Sequence, residues 1–420
     1  MALRKPLLVF GTRPEAIKLF PVAHALANAP GVASRCCVTG QHGAMLDHIL
    51  SLVGLVPDIR LSVGAPGQSL DRLTTRLIES VGGVLDELAP DRVVVQGDTS
   101  TAMATALAAH HRRIPIGHVE AGLRSGDLHQ PWPEEGHRRI IAQLADRHWA
   151  PTRAAAEALR RNGVDPATIR VTGNTVIDAL HWMAERLATK PGLAHGLDPV
   201  LARMARRRMI LVTMHRRENW DGGLVRVARA LLRIVARGDV GVLLPLHANP
   251  AIRLVIDPIL AGHPAIVTVP ALDYPCFVRA MQACTLVLTD SGGVQEEAPA
   301  LGKPVLVLRD TTERPEGVAA GTARLVGTDP DRIVTEVAHL LVEGVLRPRQ
   351  VGVRVRHQHP VGERVAGAAH QPGLAHHPGR RALVEHRLFS RTWSSGMEPG
   401  QPMQTSVKAP SGPTTPYSVE

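Results

Sequence analysis

At 420 residues the chain exceeds one ordinary domain, and with 44% hydrophobic but only 3% aromatic residues its core must be built from Leu, Val, Ile and Ala. A net charge of +10 would suit a nucleic-acid binder. However, ten Lys/Arg against four Asp/Glu lie from Arg347 onward, so the first 346 residues carry only +4 and nucleic acid is not the expected partner. No run approaches the roughly 20 apolar residues of a membrane span, and the first six residues lead into a strand without a signal-peptide core, which predicts a soluble, cytoplasmic chain with no membrane partner.

Taken in order, Pro6 to Phe10 reads as a fully apolar strand, and Gly11-Thr12-Arg13-Pro14-Glu15 turns it into a helix opened by Pro14, with Glu15 suiting the first turn. Arg13 and Lys18 then stand beside free amide donors, a setting for an anion. No Gly-x-Gly-x-x-Gly follows the strand, which speaks against a tightly held dinucleotide. Ser34 to Val38 is a second strand, followed by Thr39-Gly40-Gln41-His42 and a helix from Ala44 to Val53. The spacing predicts a loop over 64–68 and a long helix over Leu70 to Leu88.

The stretch Asp91 to Trp149 reads as strand, helix, strand. Arg92 to Gln96 ends just before Asp98, Ser100 to His111 is a crossover helix capped by Thr99 or Ser100, and Ile114 to Val119 ends on His118 and Glu120. Ligands of open parallel sheets sit beyond the carboxyl ends of the strands, so Asp98, Glu120 and Glu134 are expected to converge there. Trp149 to Thr152 closes a further strand, Ala154 to Asn162 is a helix ended by Gly163, and a long helix over Thr175 to Thr189 bridges two domains. Lys190 to Asp198, with a Pro and two Gly, is the linker candidate.

The second half repeats the alternation. Strands are expected over Arg208 to Thr213, Val240 to Pro245, Ala265 to Val269, Thr285 to Thr289 and Val305 to Leu308, with helices within Leu272 to Cys284 and over Val294 to Leu301. Asp290-Ser291-Gly292-Gly293 is a second anion candidate, because two glycines let the backbone approach a ligand in front of a helix start. Glu296 and Glu297 lie one turn on, where a carboxylate can accept from a pair of ribose hydroxyls, and Arg309 and Arg314 can reach a diphosphate held at this turn. Strands alternating with helices in both halves predict two doubly wound α/β domains across a cleft, residues 1–175 and 176–346.

Cys36, Cys37, Cys276 and Cys284 lack metal-ligand or Cys-x-x-Cys spacing and read as reduced thiols packed as small apolar groups. Residues 347–420 are thick with Arg, His, Gly, Pro and Ser, and they are expected to form a disordered tail. The scattered His357, His359, His370, His376 and His377 do not have the spacing of a metal site.

The segments GTRPEAIKLFPV, VVVQGDTSTAMA, HVEAGLRSGD, PWPEEGHRR, VTGNTVIDAL, TMHRREN, LPLHANP and LTDSGGVQEEAPALGKPVLVLRDTTERPE occur in one order between about Lys5 and Gly344. Together they make the chain resemble the non-hydrolysing UDP-N-acetylglucosamine 2-epimerases. That resemblance implies a GT-B-like pair of Rossmann-like domains with a UDP-sugar in the cleft. It implies interconversion of UDP-N-acetylglucosamine and UDP-N-acetylmannosamine without NAD or metal, and a homodimer. The sugar C2 proton is barely acidic until UDP begins to leave, so elimination to 2-acetamidoglucal and readdition after protonation on the opposite face is the implied route.

By motif, the resemblance assigns catalysis to Asp98, Glu120, Glu134 and His215. Glu120 and Glu134 are the expected proton carriers, Asp98 a tuning or relaying group, and His215 with the arginines the support of the leaving diphosphate. UDP binding falls to Arg13, Lys18, Phe277, Ser291, Gly292, Gly293, Glu297 and Arg314, with Phe277 near the uracil. A second, activating UDP-N-acetylglucosamine is implied at Gln41, Glu134, Arg216 and His247, but Gln41-His42-Gly43-Ala44 carries Ala where a longer polar side chain is common, so weakened activation is expected. The resemblance stops near Gly344, where the family continues into a closing helix that crosses back onto the first domain; a reading-frame shift or genuine divergence would produce such a break, and loss of that helix predicts reduced stability and poor activity. Rival readings are a hydrolysing epimerase that releases free N-acetylmannosamine, a GT-B glycosyltransferase, and an inactive UDP-sugar-binding protein.

Overall fold

The computed structural model describes residues 3–343 apart from 42, 66, 215, 217–221, 247 and 248. His215, His247 and the whole tail over 347–420, with its expected disorder and its histidines, therefore lie outside the described residues.

The first half holds strands β1 (Pro6–Phe10), β2 (Arg35–Val38), β3 (Ile59–Arg60), β4 (Arg92–Gln96), β5 (Ile116–Val119), β6 (Arg147–Ala150) and β7 (Ile169–Val171). They form one parallel sheet in the order β3-β2-β1-β4-β5-β6-β7. Its helices are α1 (Arg13–Ala27), α2 (Gly43–Val53), α3 (Leu70–Leu88), α4 (Ser100–His111), α5 (Glu134–Leu144), α6 (Arg153–Arg161) and α7 (Thr175–Thr189). The strands are short and, in β1 and β4, buried at every position, as expected where helices cover both faces of a parallel sheet. Polar side chains set the helix starts: Thr12, Ser69, Thr99, Thr152 and Asn174 each accept an amide of the first turn. Gly117 in β5 lies against Trp149, whose ring atoms stand 2.4 Å from where a Cβ would be.

The second half comprises α8 (Asp198–Met204), β8 (Arg208–Thr213), α9 (Gly223–Val235), β9 (Val240–Leu246), α10 (Pro250–Leu260), β10 (Ile266–Pro270), α11 (Tyr274–Ala283), β11 (Leu286–Thr289), α12 (Val294–Ala300), β12 (Val305–Val307), α13 (Pro315–Ala319), β13 (Ala323–Leu325) and α14 (Pro330–Glu343). Its parallel sheet runs β10-β9-β8-β11-β12-β13. The chain reverses direction across the sheet between β1 and β4 in the first half and between β8 and β11 in the second, and each switch opens a crevice at the strands' carboxyl ends.

One core cluster runs through both halves, from Leu8 and Phe10 through Leu180 and Met183 of α7 to Leu211 and Val287. Phe20 of α1 meets Trp182 of α7 edge-on at 5.0 Å between ring centroids, and Arg186 covers the same indole at 5.0 Å. Helix α7 packs against α1 of the first half and against α11 and α12 of the second. Lys190 to Asp198 is not the open linker that its Pro and Gly content suggests. Residues 191–197 form 3-10 turns leading into α8, with Ala194 and Leu197 fully buried, because these apolar side chains are drawn under α7 and α11. All four cysteines are buried and unbridged. Among the described residues no helix is long and apolar enough to cross a membrane, and no group of His, Cys, Asp and Glu could hold a metal ion.

Candidate active site

The turn after β1 is built on Glu15. Its carboxylate, wholly buried, accepts the Gly11 amide at 3.0 Å, the Thr12 amide and hydroxyl at 2.8 Å each, and the Thr99 hydroxyl at 2.7 Å. Thr12 and Glu15 form a capping box, a pattern legible in Thr-x-x-Glu, and the Thr99 bond ties the β1 turn to the β4 turn across the switch point. Burial raises the Glu15 pKa. A side chain at Gly11 would collide with the Thr39 and Thr101 hydroxyls, 2.1 and 2.5 Å from its Cβ position. Arg13 and Lys18 of α1 emerge from this turn, half-buried; burial lowers the Arg13 pKa against the attraction of Asp273 and Glu297.

Glu120 follows β5 with φ of 61°, in the left-handed region that a non-glycine residue occupies only when its surroundings hold it there. Its carboxylate accepts Lys18 Nζ at 2.6 and 2.9 Å, Asn174 Nδ2 at 2.8 Å and Gln96 Nε2, and Arg314 Nη2 stands 3.8 Å away. Burial alone would raise the Glu120 pKa, but Lys18 and Arg314 hold it below the ordinary value, so the group is a carboxylate. His118, by contrast, is turned into the protein: its Nε2 donates to the Gly97 carbonyl at 2.7 Å, and burial pushes its pKa down to about 3. It is a neutral prop under the turn that presents Asp98.

Asp98 lies between Gly97, whose φ is 68°, and the α4 cap. Helix α5 holds it twice. His137 Nδ1 donates to the Asp98 carbonyl at 2.8 Å, and Arg138 donates its Nε to Asp98 Oδ2 at 2.7 Å, with Nη2 in ionic contact with the same oxygen at 2.6 Å. Glu134 opens the same helix, one turn before Arg138, and its Oε2 is shielded from solvent with no hydrogen-bond partner.

On the facing side, Ser291, Gly292 and Gly293 turn β11 into α12. A Cβ on Gly292 would come 2.3 Å from Arg314 Nη1 and 2.8 Å from Glu313 Oε1, so the glycine makes room for that ion pair. Arg314 also binds Glu296 through Nε at 2.5 Å. Glu313 joins Arg314 at 2.8 Å, Arg309 at 2.7 Å and Arg216 at 3.3 Å; burial opposes its charge, yet Arg314 and Arg309 bring its pKa down to about 2. Asn174 gives its amide nitrogen both to Glu120 and, at 2.8 Å, to Glu296. Glu297 is buried without a direct ion pair among the described contacts, and desolvation pushes its pKa up to about 7.

The strand-end carboxylate Glu120 is thus joined to the Ser291 turn through Arg314 and to Glu296 of α12 through Asn174. Asp98 and Glu134 are joined to one another through α5. Phe277 on α11 is half-buried and packs against the shared core. Gln41 accepts the Thr101 hydroxyl at 3.0 Å, and Arg216 donates its amide to Asp290 at 2.9 Å. The sequence reading missed Arg138, Asn174 and Glu313. The signal for Arg138 was its place four residues after Glu134 on one helix face, and for Asn174 its N-cap position before Thr175.

The family model for UDP-N-acetylglucosamine 2-epimerase matches residues 24–359. The chain is 49% identical over 341 residues to the UDP-N-acetylglucosamine 2-epimerase of Salmonella typhimurium, covering 80% of this chain and 90% of that protein. It is 48% identical over 345 residues to that of Escherichia coli K12, with the same coverage. Among solved structures, the Neisseria meningitidis UDP-GlcNAc 2-epimerase bound to UDP-GlcNAc superposes with a TM-score of 0.76 at 42% identity, covering 81% of this chain and 92% of that one. The Methanocaldococcus jannaschii UDP-GlcNAc 2-epimerase in complex with UDP-GlcNAc and UDP gives 0.72 at 30% identity, covering 87% and 99%.

Proposed function

This chain belongs to the UDP-N-acetylglucosamine 2-epimerase family and is an isomerase acting on a UDP-sugar, and from that premise we propose how its residues carry out the interconversion of UDP-N-acetylglucosamine and UDP-N-acetylmannosamine. The diphosphate lies between the Gly11–Lys18 turn and the Ser291–Gly293 turn, held by Arg13, Lys18 and Arg314, with Glu297 toward the ribose and Phe277 toward the uracil. The C1–O bond breaks, the electron pair leaves with UDP, and C1 gains oxocarbenium character. A carboxylate then takes the C2 proton to give 2-acetamidoglucal; protonation at C2 on the other face and return of UDP to C1 give the epimer. Glu120 and Glu134 are the proton carriers, Asp98 tunes or relays, and His215 with the arginines supports the departing charge.

The observation that carries this reading is Arg314, which packs on Gly292 in one half and stands 3.8 Å from Glu120 in the other. A cation there serves a leaving diphosphate and, with the closer Lys18, keeps the base charged. Incubation with UDP-N-acetylglucosamine in deuterated water tests it: deuterium at C2 of the UDP-N-acetylmannosamine product is expected, whereas free N-acetylmannosamine with UDP would reassign the chain to hydrolysing epimerisation, and UDP binding without turnover would make it a binding protein.

A second UDP-N-acetylglucosamine bound at Gln41, Glu134, Arg216 and His247 would activate only weakly, and a rate that rises hyperbolically with substrate is the expected sign. The enzyme is a cytoplasmic homodimer in this reading, supplying N-acetylmannosamine-type sugar for cell-surface polysaccharide. The proposed domains are 1–175, which carries the carboxylates, and 176–346, which carries the UDP-binding turn.

A further inference from the structure

We propose that Arg138 is the positioning residue for Asp98, and that α5 is the element that fixes Asp98 and Glu134 relative to each other. This rests on the reading of Asp98 as part of the reacting site. Asp98 sits on a turn between a left-handed glycine and a helix cap, so its own backbone leaves the direction of its carboxylate open. Arg138 closes that freedom with one hydrogen bond from Nε at 2.7 Å and an ionic contact from Nη2 at 2.6 Å, both on the same oxygen, from a side chain that is only 8% exposed. A planar guanidinium dictates the orientation of the group it holds, which a lysine ammonium cannot do.

Arg138 is itself braced. Glu135, wholly buried, lies 3.4 Å from Arg138 Nη1 and also accepts the Ser125 amide at 3.1 Å and Arg139 Nε at 3.2 Å. His137, on the same turn, secures the Asp98 carbonyl. Glu134, Glu135, His137 and Arg138 therefore divide the work along five residues: the first presents its carboxylate, the second anchors the arginine, and the last two grip the Asp98 turn. The side-chain partners of Arg138 are Asp98 and Glu135, and it acts through Asp98.

The test is a double-mutant cycle on the full chain with Arg138→Gln, Arg138→Lys, Asp98→Asn and the Arg138→Gln/Asp98→Asn pair, reading kcat, KM and the affinity for UDP by calorimetry. We expect Arg138→Gln to lower kcat about a hundredfold, the scale on which a displaced catalytic group loses rate, with KM and UDP affinity changed less than about threefold. The double variant should be no slower than Asp98→Asn alone. Arg138→Lys keeps the charge and decides the matter if Arg138→Gln does not fold: kcat about tenfold lower at unchanged UDP affinity supports the assignment, and wild-type kcat overturns it. Losses that multiply in the double variant would also overturn it. An Asp98→Asn enzyme of full activity would instead remove the catalytic reading of Asp98, and this assignment with it.

Discussion

Lys18 Nζ lies 2.6 Å from Glu120 Oε2, an ion pair 102 residues apart in sequence that joins α1 to the end of β5. Lys18 and Arg314, the second cation near this carboxylate, are the groups proposed to receive the diphosphate. A bound anion must share them, and the Glu120 pKa, lowered by those cations against the effect of burial, then rises toward its ordinary value. UDP binding at mildly acidic pH should therefore take up a fraction of a proton. Calorimetry in buffers of different ionisation enthalpy measures it directly. Lys18→Met should weaken UDP binding about tenfold, the loss of one charge-assisted bond, and diminish the uptake. Equal binding heats in all buffers would show that the cations do not leave Glu120.

Glu297 gives a stability signature of its own. Its folded pKa, about 7 through burial, lies above the unfolded value of 4.5. Between these two values the native state holds a proton that the unfolded state has released, so stability falls as pH rises through the window and is fully present only below it. Glu297→Gln removes that dependence. Urea unfolding of the two proteins at about pH 5 and about pH 8 should show the wild type losing up to about 3 kcal/mol relative to the variant. Parallel curves for both proteins would mean that Glu297 ionises freely in the fold.

Much of the architecture was legible because local signals agree. Arg92–Gln96 is a strand built on three consecutive valines, Ser100–His111 is capped by Thr99, and Thr175–Thr189 has an Asn before it, so each forms at the predicted residues. Helix α5 was not anticipated, since Pro131 and Pro133 precede it and only one face, Glu135, Arg138, Ile141 and Ala142, is buried. Lys190 to Asp198 does lie between the two sheets, but its packing was not legible, because Pro and Gly also suit tight 3-10 turns packed beneath a helix. The site residues at strand ends follow from the βαβ alternation, which brings the ends of β1, β4 and β5 to one edge. Their partners do not. Asn174 meets Glu296 across 122 residues, and no local pattern encodes a bond made only when two sheets face each other.

Gly292→Ala isolates the anion turn from the core. The added methyl would sit 2.3 Å from Arg314 Nη1 and 2.8 Å from Glu313, so the guanidinium has to move away from the cleft, and the three atoms nearest the methyl all belong to these charged side chains. KM for the UDP-sugar should rise about tenfold or more while the melting temperature changes by only about 2 °C. A large loss of stability with unchanged KM would show that the glycine serves packing and not ligand approach.

Asn174 separates the two roles of a helix cap. Its Oδ1 accepts the Val176 amide at 3.2 Å, while its Nδ2 holds Glu120 in the first half and Glu296 in the second at 2.8 Å each. Asn174→Ser keeps an acceptor for the cap but has neither the reach nor the two donors for the carboxylates, so unfolding stability should stay within about 0.5 kcal/mol of wild type. Removing one donor from each of two shielded carboxylates should nevertheless lower kcat/KM about tenfold, because Glu120 loses the bond that complements Lys18 and the two halves lose their direct amide link. Asn174→Asp should be worse still, since it caps the helix equally well but places a third carboxylate between two others. An Asn174→Ser enzyme with wild-type kinetics would reduce the bridge to a cap, and the shared core, Arg314 and the Thr152 hydroxyl donated to Glu316 would then hold the two halves together.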